Sequence, residues 1–282
     1  RRAFMKSNGA SPGAVHLLEM GQMAGWIQPV AALQALRFHW GNDFSAKFAA
    51  SGGNESLPRA VAARLASPVR MNARVRRIEE REGGVTVHVA DGDPPVEADY
   101  VLCCVPMAAL GEIELDIPNG DVKRAAAQRV RHVFVTRLNV VFDGRPWRQQ
   151  GLSGEVIADA EPLELWDMST DNSNDPGVLT FYLTGQVARA LADANPSELA
   201  GWCREQLSVV MPGLPDFIRL TSKVWPNAWT AWLPGQLGSI AHTLRAPTRR
   251  VAFATDELSP WPGWMQGAVY SANRGVEWLR QV

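Results

Sequence analysis

The 282-residue chain sets 28 lysines and arginines against 29 aspartates and glutamates, a formal net charge of -1, with 46% hydrophobic and 20% charged residues. That balance excludes disorder and a polyanion-binding surface driven by bulk charge, and the length supports a sizeable core in one large domain or two interleaved ones. No run approaches the roughly 18 apolar residues of a membrane span. The three cysteines, with Cys103 adjacent to Cys104, make neither a disulfide framework nor a metal-binding C-x-x-C pattern. They read as buried free thiols of a reducing, cytoplasmic setting.

Along the chain, residues 12 to 40 read as mostly helical, with Val15, Leu18, Ile27, Val30, Leu33 and Leu36 at helical spacings and turns at Gly13, Gly25 and Gly41. Residues 57 to 66 (LPRAVAARLA) predict a short amphipathic helix with Pro58 near its first turn, where the missing N–H costs nothing. A β cluster follows at 69–80, 84–91 and 96–106. There VTVHV alternates, ADGDPP supplies a turn, and YVLCCV is the continuous apolar run of a strand covered on both faces. A long strand over 131–143 opens a second β region, continued at 153–158 and 178–184, then by a helix at about 197–209 and a strand at 217–225. The buried strand 250–255 and a helix over 265–280 close the chain. Helices and strands interleave without an internal repeat, which predicts a mixed α/β chain of two discontinuous domains.

Two stretches carry residues that a core does not need. In SGGNESLPRAVAARL, Gly52 and Gly53 let the backbone turn sharply or approach a ligand. In VAFATDELSPWPGWMQGAV, a strand ends in a polar turn with Asp256, and a helix begins near Gly263 to Met265. Free N–H groups and the helix dipole there favour an electron-rich group, and Trp264 gives it a flat neighbour. The five histidines (His16, His39, His88, His132 and His242) show no metal-ligand spacing, and no Ser-His-Asp arrangement has a local signature.

The tail FATDELSPWPGWMQGAVYSANRG resembles the C-terminal flavin-binding motif of the FAD-dependent amine oxidases, the group of monoamine, polyamine and L-amino acid oxidases. SGGNESLPRAVAARL, the strand at Val75 and Ile78, the GVTVHVADG hairpin and ADYVLCCVPMAAL match the same group in the same order. The resemblance implies FAD as cofactor, with Gly52 and Gly53 near it and the backbone of Val75 beside the adenine. It implies that Asp256 lies near the ribityl and pyrophosphate part, and that the Met265 N–H meets the flavin carbonyl edge. Trp264 then forms one wall of an aromatic cage. The segment VWPNAWTAWLPGQL supplies Trp225 at its lead position, with Trp229 or Trp232 as the second wall.

The same resemblance implies a division into residues 1–47 (helical part of the substrate domain), 48–108 (part of the FAD-binding domain), 109–245 (substrate-binding domain) and 246–282 (C-terminal part of the FAD-binding domain). Three departures modify it. The position where the family usually carries a lysine near the flavin falls on Arg137, sharing a strand face with Asn139. Arginine's rigid fork suits a carboxylate, which points to an amino-acid substrate or to weakened reaction with oxygen. Thr255 stands where the family commonly has glycine before the acid, which predicts a narrower approach to the cofactor. No G-x-G-x-x-G opens a helix after a strand, and the chain begins on Arg1-Arg2.

These features predict the downstream part of an amine oxidase whose dinucleotide-binding segment lies on a second polypeptide. Exposed apolar edges near Val75, Cys103 and Phe253 would receive that segment. A non-catalytic binding module that has lost FAD, and a flavoprotein acting on a non-amine substrate, remain the alternatives.

Overall fold

The computed structural model describes residues 2–15, 30–34, 37, 50, 52–90, 92, 94–158, 163–169 and 175–282. Helix α1 (Arg2–Ser7) precedes α2 (Ser56–Ala62), which has Pro58 in its first turn as expected. None of the residues of α2 is buried, and Leu57 and Val61 are exposed. Of the helical expectation over 12–40, Leu18, Ile27, Leu36, Gly25 and Gly41 lie outside the described residues, as do His16 and His39.

The alternating hairpin forms as read: β1 (Val75–Arg81) pairs antiparallel with β2 (Gly84–Val89), burying Ile78 and Val85. The run expected as one strand over 96–106 is two. β3 (Val96–Ala98) pairs with β2, whereas β4 (Val101–Cys103), beyond a break at Asp99-Tyr100, enters a different sheet. The exposed β3 and the half-buried β4 face different surroundings, which a single apolar run does not reveal. Helix α3 (Met107–Leu110), β5 (Glu114–Asp116) and α4 (Gly120–Gln128) follow. β5 pairs parallel with β1, completing the order β3-β2-β1-β5.

The next stretch builds an antiparallel sheet. Strand β6 (Arg131–Phe142) leads through α5 (Pro146–Gln149) to β7 (Val156–Ala158), β8 (Leu163–Asp167) and β9 (Gly177–Thr184), then α6 (Gly185–Ala190), α7 (Pro196–Val210) and β10 (Arg219–Ala231). The spatial order is β10-β6-β9-β8-β7. One face carries Leu138, Val140 and Phe142 with Leu165 and Phe181, sealed by Leu199, Cys203 and Leu207 of α7. The alternation of β6 therefore turns Arg137 and Asn139 to the other face. Strand β10 runs past the expected 217–225 and through Pro226, because its register shifts between Trp225 and Trp229. A bulge on an edge strand tolerates a residue without an N–H.

The chain then returns to the earlier elements through α8 (Ile240–Arg245), β11 (Val251–Phe253), a 3-10 turn over Asp256–Leu258 and α9 (Met265–Leu279). β11 pairs parallel with β4, and Phe253, Leu110, Ile113 and Leu244 share a core with Ile78 and Val85. The inner face of α9 is Gly267, Ser271 and Gly275. A Cβ on Gly267 would lie 2.1 Å from the Trp261 carbonyl oxygen, and one on Gly275 2.5 Å from Leu102. Small residues at this four-residue spacing let the helix lie directly on β4 and the preceding loop.

Two compact units alternate along the chain: Arg1–Val30 with Arg131–Ala231, and Ala31–Val130 with Trp232–Val282. Residues 109–130 and 232–245, grouped with the substrate segment in the sequence reading, lie in the second unit. There α4 packs against α8, and the ends of both helices feed its core. Among the described residues no helix is long and apolar enough to cross a membrane.

Candidate functional site

In the second unit the parallel register sets Val101 against Val251, Leu102 against Ala252 and Cys103 against Phe253. Both strands end on the same side, where open α/β sheets receive ligands. Asp256 follows β11 there. Its Oδ2 accepts the Gly263 N–H at 2.6 Å, and its Oδ1 accepts the Thr255 hydroxyl at 3.3 Å. Burial raises the Asp256 carboxyl above the ordinary range, and the Gly263 N–H opposes the shift. Gly263 has φ +85° and swings the chain into α9, whose N-cap Trp264 is extended with no side chain capping the helix. Met265, the first helical residue, is exposed.

Gly52 and Gly53 have φ +79° and +87°, and among the described residues no atom lies within 4 Å of where a Cβ would project from either. Val75 begins β1, while β5 pairs only with Arg77 to Glu79, so no described strand lies beside Val75 on that side. The helix start and the half-buried carboxyl at the end of a parallel pair suit the polar, oxygen-rich length of FAD, while among the described residues no hydrogen bond joins Gly52 or Gly53 to them. The residues present fit that group.

Thr255 is buried, and its hydroxyl bridges Asp256 and Glu257 rather than projecting from the turn. Trp232 is fully buried, with its indole N–H donating to the Glu257 carbonyl at 3.1 Å. Glu257, not singled out in the sequence, is 4% exposed and accepts the Met107 N–H. Two adjacent acids were legible there, but their division between a half-open and a buried position was not.

The first unit gathers the other candidates on the face of the five-stranded sheet that carries Arg137. In register, Arg137 stands between Lys223 of β10 and Tyr182 of β9. Asn139 of the next row receives the Thr180 hydroxyl at 2.7 Å and donates to Thr221 at 3.3 Å, which fixes the face shared by these rows. The Arg137 guanidinium lies 5.6 Å from the Tyr182 ring centre and 5.8 Å from that of Trp166. Those two rings stack at 4.9 Å and 15°. Trp229 donates its indole N–H to the Tyr182 oxygen at 3.2 Å, and Trp225, opposite Val135, is 37% exposed.

Burial lowers the pKa of Arg137, with Tyr182 opposing, and raises that of Tyr182. Among the described residues no carboxylate pairs with Arg137, and its buried Nε has no hydrogen-bond partner. An unpaired, partly desolvated guanidinium against aromatic faces is a strong anion receptor. Sequence reading found Arg137 and missed Trp166 and Tyr182, which reach it only through strand register. Trp229 and Trp264, expected as two walls, belong to different units.

Burial pushes the Cys103 thiol up to about 11 and that of Cys203 to about 12, so neither is a thiolate nucleophile at neutral pH. Cys104 is exposed, contrary to the expectation of three buried thiols, because neighbouring residues at a strand end point to opposite sides. Among the described residues no cluster of histidine, cysteine and acidic side chains can hold a metal.

Residues 6–277 match the profile of the family described as flavin containing amine oxidoreductase. The chain is 28% identical over 231 residues to a Mycobacterium tuberculosis protein assigned as a flavin-containing monoamine oxidase, covering 80% of this chain and 50% of the other. It is 25% identical over 229 residues to an L-amino acid dehydrogenase of Synechocystis, covering 77% and 48%. A solved structure of a putrescine oxidase variant aligns with a TM-score of 0.72 at 22% identity, over 82% of this chain and 53% of that one, a likeness of fold. The chain thus spans about half the length of the curated relatives it matches.

Proposed function

Because the chain belongs to the flavin containing amine oxidoreductases, we propose that it works in flavin-dependent oxidation of an amino acid, with the second unit holding FAD and the first unit holding the substrate. The observation that carries the amino-acid preference is Arg137, a partly desolvated guanidinium whose Nε has no partner. A substrate carboxylate would satisfy it with paired charge-assisted hydrogen bonds, which a simple amine cannot offer.

Bound FAD supplies the acceptor for the hydride on the amine-bearing carbon, leaving an imine that water hydrolyses. In this reading Asp256 would bind the sugar-like hydroxyls of the cofactor, the Met265 N–H would meet its carbonyl edge, and Gly52, Gly53 and Val75 would offer backbone. Trp264 would offer the flavin a flat aromatic neighbour at the start of α9. On the substrate side Trp225 and Trp229 exclude water, and Tyr182 holds the Trp229 indole through its phenol oxygen. The buried Trp232 serves the architecture behind the turn.

Cys103 and Phe253, expected on exposed edges that would receive the dinucleotide-binding segment, are buried in the core. That segment, which we assign to a second polypeptide, would instead cover the outer side of α9. Met265, Val269, Val276 and Leu279 are exposed there at helical spacings, an arrangement that suits a packing partner. The test is a visible absorption spectrum and a denaturing gel of the protein from its native source. A flavin spectrum with a second band supports the assembly, whereas one band well above 30.9 kDa with flavin places both parts on one polypeptide and overturns the second-chain assignment. A colourless preparation rejects the flavin reading. In the holoenzyme, Arg137→Ala should raise KM for amino acids by about tenfold or more while sparing simple amines. An equal effect on both rejects the carboxylate role.

A further inference from the structure

We propose that Glu257 is a positioning residue that touches no ligand: it ties the acidic turn after β11 to the turn after β4, and so sets where Asp256 stands. The inference rests on reading that end of the parallel pair as the flavin's site. Three stretches far apart in sequence meet at Glu257. Its Oε2 accepts the Met107 N–H at the start of α3 and the Thr255 hydroxyl at 3.4 Å, while its main-chain carbonyl accepts the Trp232 indole N–H at 3.1 Å. Trp232 is itself pinned, its N–H donating to the Gln34 side chain at 2.8 Å and its carbonyl accepting the Ala31 N–H at 2.6 Å. On the other side of the turn, Ser271 of α9 donates to the Thr255 carbonyl at 2.7 Å.

The chemistry of the site argues against a role in helix capping alone. Helix α3 has four residues. Capping so short a helix returns less than a buried carboxylate costs to desolvate, and a serine or asparagine would cap it more cheaply. What the longer carboxylate achieves is reach: it spans from the β11 turn to the β4 turn and holds fixed the distance between the two strand ends. The adjacent Asp256 then turns the other way, toward the Gly263 N–H and the start of α9. A catalytic site needs its supporting shell locked in this manner, since a displacement of about 1 Å in a binding group is enough to lose function.

The test compares the wild-type chain, as isolated with any copurifying polypeptide, with Glu257→Ala and Glu257→Gln. Amide exchange is followed at Met107 and across 255–263, with the β1–β2 hairpin as internal reference, and FAD affinity is read from quenching of flavin fluorescence. Glu257→Ala should speed exchange in the turn and weaken FAD binding by about tenfold each, leaving the hairpin unchanged. Glu257→Gln keeps an oxygen that can accept the Met107 N–H, and should stay within about twofold of wild type in both. Wild-type exchange and affinity in Glu257→Ala would overturn the proposal, as would a glutamine variant as impaired as alanine or equal disturbance of the hairpin. A wild-type protein that takes up no FAD would instead refute the flavin reading, while the exchange comparison still decides whether Glu257 locks the turn.

Discussion

Asp256 and Glu257 are neighbours with different surroundings, and the difference predicts different responses to substitution. Burial raises the Asp256 carboxyl above its ordinary range. A carboxyl raised on folding adds stability below its unfolded pKa of about 4, and that contribution is lost as pH rises through the folded value. Asp256→Asn cannot ionise and keeps an oxygen for the Gly263 N–H, so it should remove this loss of stability with rising pH while weakening FAD binding by about tenfold. A fall in Tm with unchanged FAD affinity would mean that the carboxylate serves the fold instead. Asp167 behaves in the opposite sense. Burial would raise its carboxyl, but hydrogen bonds from Ser169, from the Trp147 indole at 3.0 Å and from Arg148 at 2.9 Å outweigh it and lower the pKa. Its contribution to stability is present above the unfolded pKa and disappears as pH falls through the folded one. Asp167→Asn should accordingly lower Tm at pH 7 and flatten the acid limb of the stability profile. At this scale Asp256 stood out as an acid in the polar turn after an apolar strand, whereas Arg137 was reached through the family resemblance, at the position where the family usually carries a lysine. The sequence left Trp229 and Trp232 equivalent, since the bulge after Trp225 makes side-chain parity unreadable by counting.

Elements with a strong period were legible. β2, β6, α7 and α9 form close to where alternation or helical spacing predicts them, and α7 starts with Asn195 accepting from the N–H groups of Ser197 and Glu198. Strand β8 (LELWD) and the alanine-rich α4 were not anticipated, because a five-residue run carries little period and the buried face of α4 is Gly120, Lys123, Ala126 and Ala127 rather than large apolar residues. The division of 96–106 between two sheets depends on contacts with β2 on one side and β11 on the other. Helix α9 offers the sharpest test at this scale. Gly267→Ala would force a methyl against the Trp261 carbonyl, moving the helix start or costing about 1–3 kcal/mol. Calorimetry should show the loss of stability and a flavin titration the weaker cofactor binding. The same substitution at Gly201, where no atom of the described residues lies within 4 Å of the added Cβ, should be harmless and supplies the control.

For the molecule as a whole, the two units each hold a core of their own while the chain crosses between them three times, at Val30, Val130 and Ala231. The outer stripe of α9 makes a prediction about assembly. Val269→Lys combined with Val276→Lys changes two exposed positions, so the helical spectrum and Tm should hold while copurification of the proposed second polypeptide fails. Retained copurification would locate the partner surface elsewhere. By itself the sequence determined the mixed class, the family and the long periodic elements, since these depend on local pattern and on residues held at short spacing. Tertiary structure decided which strands pair, that Trp232 is buried while Trp229 meets Tyr182, that Trp166 and Tyr182 flank Arg137, and that Glu257 rather than Asp256 is the buried acid. Each of these depends on register and burial between segments tens to hundreds of residues apart, and no local pattern in the chain encodes that information.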